Sequence, residues 1–127
     1  MKKISLLLFT AVVYMSAAVN FEYDLKVAKE KAISENKKLM IMYSMDTCPE
    51  CNYMKKKVFK DKELSNAINE KFVSVVLDVT TKKEELPFKY IGIPTFYFTN
   101  PTDMNLITKR IGGTREAKFL EIINDIK

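Results

Sequence analysis

Leu39-Met40-Ile41-Met42-Tyr43-Ser44-Met45-Asp46-Thr47-Cys48-Pro49-Glu50-Cys51 joins three signals in one stretch. Its first five residues are a short continuous apolar run, the pattern of a strand buried on both faces. Ser44 to Thr47 follow as a polar loop. Cys48 then stands where a helix begins, because Pro49 suits the first helical position, where its missing N–H has no partner to lose. Cys48 and Cys51 are the only two cysteines in the chain. A structural bridge gains most by closing a long loop, and this one closes a very short loop. The spacing therefore favours a redox couple, with one sulfur exposed to attack and the other held back to resolve.

Outward from that stretch the sequence reads as alternating helices and strands. The Cys helix runs to about residue 59 by its helical pattern. Asp61 is placed to cap a helix over 62–71, with Leu64, Ala67 and Ile68 on one face. Residues 72–79 form a second buried, Val-rich strand, and 80–90 a charged connector with a short helical piece. Ile91-Gly92-Ile93-Pro94 ends the connector, and 95–99 is a third strand. Asn100-Pro101-Thr102-Asp103 is a turn signal, followed by a fourth strand over 105–111 with Leu106 and Ile111 apolar. Gly112-Gly113 breaks the chain, and Thr114 is read as the cap of a last helix. Upstream, 20–36 reads as a helix whose apolar residues are Leu25, Ala28, Ala32 and Ile33. The first two strands flank a helical crossover and are expected to be parallel. The last two are joined by a tight turn and are expected to be antiparallel. The pattern predicts an α/β chain with one mixed four-stranded sheet and helices on both faces.

The length of 127 residues fits one domain, and the apolar content of 47% is ordinary for a globular core. The chain has no histidine, which removes imidazole catalysis and most transition-metal sites. One Cys-x-x-Cys offers two ligands where zinc takes four, so no metal site is expected. Lys2 and Lys3, the apolar run 4–13 and the small residues Ser16 to Ala18 have the form of a secretory signal cut near Ala18. The expected division is a signal peptide over 1–18 and one domain over 19–127, with an uncleaved N-terminal membrane anchor as the alternative. Loss of Lys2 and Lys3 leaves 19 basic against 16 acidic residues, or +3. That excess is spread along the chain, with Lys55–Lys57 read as a solvated helix face, and no basic stripe with interleaved aromatics points to nucleic acid.

With the Cys pair opening the helix after the first strand, and Ile93-Pro94-Thr95 about 45 residues later, the chain resembles the thioredoxin fold. The likeness is carried by Met40 to Ser44 leading into Cys48-Pro49-Glu50-Cys51, by Tyr90-Ile91-Gly92-Ile93-Pro94-Thr95-Phe96, and by Arg110-Ile111-Gly112-Gly113. More narrowly, it is similar to exported thioredoxin-like proteins that begin with a helix in place of the first strand. The resemblance implies a cis Pro94 beside the Cys pair, with the Ile93 backbone offering strand-like hydrogen bonds to an extended substrate. It also implies Cys48 as nucleophile and Cys51 as resolving thiol, with Thr47, Pro49 and Glu50 facing the substrate. A helix N-terminus favours a thiolate at Cys48 over a thiol.

Three positions depart from the family pattern. Thr47 stands where thioredoxins carry a tryptophan. Met42 stands where they carry a buried acid that helps deprotonate the resolving cysteine. The dipeptide between the cysteines is Pro-Glu, and Glu50 with Asp46 brings negative charge that opposes a thiolate and makes the couple less oxidising. The resulting expectation is an exported thiol–disulfide oxidoreductase. It would act chiefly as a reductase of cysteine-containing exported proteins, in the periplasm or outside the cell. It would be a monomer, need no cofactor beyond its own Cys48–Cys51 disulfide, and take electrons from a membrane thiol transporter. The alternatives are a disulfide oxidant or isomerase, and a non-catalytic thioredoxin-like binding module.

Overall fold

A computed structural model describes residues 18–127. The leader read over 1–18 falls, apart from Ala18, outside the described residues. Among the described residues no helix is long and apolar enough to cross a membrane.

The elements run β1 (Phe21–Glu22), α1 (Leu25–Glu35), β2 (Lys38–Ser44), α2 (Pro49–Lys56), α3 (Lys62–Lys71), β3 (Phe72–Asp78), β4 (Thr95–Thr99), β5 (Leu106–Ile111) and α4 (Glu116–Asp125). Short 3-10 turns lie at Val58–Lys60 and Lys83–Glu85. Among the described residues the sheet has five strands, in the order β1-β3-β2-β4-β5. β2 and β3 pair in parallel, and β4 pairs antiparallel with both β2 and β5.

The expected four strands become five because the N-terminal helix starts later than its pattern suggested. Asp24 accepts a hydrogen bond from the Val27 N–H at 2.9 Å and so caps α1 four residues past Asn20. Phe21 and Glu22, released from the helix, pair with Ser74 and Val75 of β3. A two-residue strand therefore precedes α1, and the helix does not replace it. Ile33, read as part of the buried face of α1, is 51% exposed, and Ala28 and Ala32 carry that contact. The last helix is likewise displaced by one residue. Its N-cap is Arg115, which makes no side-chain cap bond, and not Thr114.

The run Leu39 to Tyr43 is fully buried, as a strand covered on both faces must be. Its alternation divides two apolar layers. Met40 and Met42 point to one layer with Cys51, Met54, Phe59, Leu64, Ile68, Phe119 and Ile123, under α2, α3 and α4. Leu39, Ile41 and Tyr43 point to the other, with Ala28, Ala32, Val73, Val75, Leu77 and Tyr97, under α1 and the connector. Phe119 meets Phe59 and Phe96 edge to face, with ring centroids at 5.1 and 5.0 Å. β5 is the opposite edge of the sheet. Its Leu106, Ile107 and Ile111 are exposed, with Lys109 between them.

Candidate functional site

The fold brings two chain crossings together at one end of the sheet, the β2–α2 junction and the turn into β4. Cys48 is the N-cap of α2, with extended backbone (φ −84°, ψ 109°), and Pro49 follows at the first helical position. The Cys51 N–H donates to Cys48 Sγ at 3.2 Å. The sulfur thus takes the capping role that an oxygen usually fills, satisfying one of the unpaired N–H groups of the first turn. The two cysteines form a disulfide, with Cα atoms 5.2 Å apart. Cys48 is half-buried, whereas Cys51 is fully buried against Met54 and the Phe cluster. The preceding loop is held at Asp46, whose carbonyl accepts from Asn52 Nδ2 at 2.9 Å, and the Thr47 hydroxyl turns back to Met45 Sδ at 3.3 Å.

The Ile93–Pro94 peptide bond is cis, and Pro94 is buried. Ile93 and Cys48 pack against the same apolar cluster, the one that contains Cys51. Thr95 Oγ1 donates to the Gly92 carbonyl at 2.6 Å and closes the turn from within.

A third segment, read from sequence as a chain break and as one of the three pieces that carry the likeness, completes the site. Gly112 has φ +87°, a conformation that favours glycine, and its N–H donates to the Pro94 carbonyl at 2.7 Å. The Gly113 N–H donates to Glu50 Oε1 at 2.9 Å, and Arg110 Nη2 donates to the Gly113 carbonyl at 3.3 Å. Glu50 is therefore turned onto the backbone of this loop. Pro94 and Glu50 stand two hydrogen bonds apart, linked by consecutive glycines. No residue type marks this link in the sequence, because Glu50 and Gly112 both reach backbone groups.

The connector before the turn is fixed by Tyr43. Its hydroxyl donates to the Phe88 carbonyl and accepts from the Phe88 N–H, both at 2.8 Å. Burial pushes the Tyr43 hydroxyl up to about 12. Phe88 stacks on Tyr97 of β4 with ring centroids 4.7 Å apart, so the segment that delivers Pro94 is gripped from the sheet.

Met42, at the position of the missing acid, is fully buried in the layer of Cys51. Lys55, one turn beyond Cys51, is half-buried, which sets it apart from the exposed Lys56 and Lys57. It lines a cavity of about 180 Å³ with Ser44, Asp46 and Asp78. The Thr80 hydroxyl, hydrogen-bonded to Asp78, holds the Asp78 carboxyl below the usual carboxylate range.

This arrangement of sheet, redox helix and cis-proline turn has close structural parallels. A thioredoxin from Thermus thermophilus superposes with a TM-score of 0.69 over 86% of this chain and 87% of its own, at 22% identity. The C-terminal domain of DsbD from Neisseria meningitidis, in its oxidised form, superposes with a TM-score of 0.65 over 85% of this chain and all of that one, at 21% identity. Spermatogenesis-associated protein 20 of Rattus norvegicus is 37% identical over 60 residues, 47% of this chain, and the match spans only 7% of that protein's length. The family described as thioredoxin-like matches residues 20–101. That match runs from β1 through the Cys pair and the cis-proline turn to the end of β4, and on this ground the chain belongs to the thioredoxin-like family.

Proposed function

We propose that the protein is a thiol–disulfide oxidoreductase working through Cys48 and Cys51, in the direction of disulfide reduction. The observation that carries the role of the pair is its asymmetry, and the acidic neighbours Asp46 and Glu50, which disfavour a thiolate, support the reducing direction. A half-exposed sulfur at a helix N-terminus is disulfide-bonded to a fully buried one. The reduced pair starts the cycle. The Cys48 thiolate attacks one sulfur of a substrate disulfide, forming a mixed disulfide and expelling the other substrate sulfur as a thiolate. Cys51, as thiolate, then attacks Cys48 Sγ and expels the second substrate sulfur. Two electrons pass to the substrate, its two thiolates take up protons, and Cys48–Cys51 is left as the disulfide. An external dithiol restores the pair by the same exchange in reverse. Pro94, with the Ile93 backbone before it, offers an edge to an extended substrate segment, flanked by Thr47 and Pro49, while Glu50, the third residue read as facing the substrate, is turned onto the Gly113 N–H.

The basic, apolar and small-residue pattern of residues 2–18 supports a place outside the cytosol. Cysteine-containing exported proteins are the substrates this reading implies, with a membrane thiol transporter as electron donor and the chain acting as a monomer. No cofactor is required beyond the cysteine pair.

Two measurements test the reading. Cys51→Ser is expected to accumulate a mixed disulfide through Cys48, while Cys48→Ser traps nothing. Reduction of substrate by a folded Cys48→Ser protein would overturn Cys48 as the nucleophile, and a parent protein that binds substrate but reduces none would be a binding module. A glutathione titration gives the direction. A potential near about −270 mV supports a reductase, and one near about −120 mV makes the protein an oxidant.

A further inference from the structure

Resting on the thiol–disulfide reading above, we infer that Glu50 is a positioning residue. Its carboxylate fastens the Gly112–Gly113 loop to the redox helix and, through that loop, fixes the Pro94 carbonyl beside the substrate path.

Glu50 is the second residue of α2, after Pro49. A carboxylate there ordinarily faces the free N–H groups of its own first turn or solvent. Instead Oε1 accepts from the Gly113 N–H, a residue 63 positions away. Three successive backbone N–H groups of that loop have acceptors. Gly112 donates to the Pro94 carbonyl at 2.7 Å, Gly113 to Glu50 at 2.9 Å, and Thr114 to Met54 Sδ at 3.4 Å. The loop is therefore fastened to the cis-proline turn on one side and to α2 on the other. Of its two acceptors on α2, a thioether sulfur is weak and a carboxylate strong, so Glu50 carries most of that attachment.

Gly113 provides the second, independent mark of a built contact. Its φ lies outside the left-handed region, so its backbone does not require glycine. What favours it is the close approach, because a Cβ would make the flexible Glu50 and Met54 side chains swing away. A Cβ there would lie 2.9 Å from Glu50 Oε1, 3.0 Å from Glu50 Cγ and 3.2 Å from Met54 Sδ. Glycine makes room for the carboxylate.

A carboxylate next to a reactive sulfur could also act by charge alone, and three variants separate the two roles. Glu50→Gln keeps an acceptor and removes the charge. Gly113→Ala keeps the charge and displaces the acceptor. Glu50→Ala removes both. The assay is insulin disulfide reduction by the full chain with dithiothreitol as donor, together with the pH profile of Cys48 alkylation. Loss of one hydrogen bond predicts that Glu50→Ala and Gly113→Ala raise KM about fivefold with little change in kcat, and that Glu50→Gln stays within about twofold of the parent KM. The alkylation profile should move in both Glu50 variants and stay put in Gly113→Ala. If Glu50→Gln raises KM as much as Glu50→Ala while Gly113→Ala does not, the positioning role is overturned. Amide exchange at Gly112 and Gly113 reads the tether without any turnover, and it should quicken about tenfold in Glu50→Ala and Gly113→Ala alone. An inactive parent protein with that exchange pattern would sink the enzymatic reading and leave the tether standing, whereas unchanged exchange in an active protein would sink the tether.

Discussion

At the scale of single residues, Tyr43 shows how a buried polar group can govern a distant turn. Its hydroxyl satisfies both backbone groups of Phe88, so Tyr43→Phe strands a donor and an acceptor at once. A buried group left unsatisfied costs about 1–3 kcal/mol, and urea unfolding of Tyr43→Phe should show a loss of that size. The pH dependence has a definite sign. The folded state raises this hydroxyl from 10.0 to about 12, which favours neutral tyrosine in the fold. The stabilisation is complete below pH about 10 and fades as pH rises toward about 12. Unfolding followed across that window should show a smaller alkaline decline in Tyr43→Phe, with Tyr97, also raised by burial, supplying the remainder. Cys48 and Cys51 were legible in the sequence because their chemistry is local and their spacing is itself the signal. The partners of Tyr43 and Glu50 were not, because they are backbone groups 45 and 63 residues away and backbone carries no residue-type mark.

At the scale of elements, caps decided where sequence reading succeeded. Asp61 stood before a clean amphipathic run, and α3 has the expected bounds, with Asp61 Oδ2 accepting from the Leu64 N–H at 2.9 Å. For α1 the polar Asn20 drew the start too early, and the true cap, Asp24, lay inside the predicted helix. Packing of the partly buried Phe21 against Phe59 then favoured a short strand. The far end of α4 is closed by a residue of another helix. Lys71 Nζ donates to the carbonyls of Ile123 and Ile126 at 2.8 and 2.6 Å. A cation at a helix C-terminus also meets the negative end of its dipole. Lys71→Met keeps most of the stem and loses both bonds. It should cost about 1–2 kcal/mol in chemical unfolding, with exchange quickened over residues 123–127 before the rest of the molecule.

At the scale of the whole molecule, the directions of β2 with β3 and of β4 with β5 were readable, since they follow from whether a helix or a tight turn joins two strands, whereas the order that seats β2 between β3 and β4 was not. The extra edge strand was not, because two residues are too few to carry an alternating pattern. The opposite edge has a different consequence. Among the described residues β5 has a strand neighbour on one side alone, and Leu106, Ile107 and Ile111 are exposed along it, Ile111 at 57%. Such an edge is a template for strand addition by another molecule, and a lysine on it discourages that pairing through unfavourable desolvation and like-charge repulsion. Lys109 stands at that place. Lys109→Val should leave the folding of the monomer nearly intact yet lower the concentration at which light scattering begins to rise. Persistence of full solubility in Lys109→Val would show that the edge is guarded by something else. An exposed residue that belongs to neither apolar layer thus sets how crowded a solution of this chain can become.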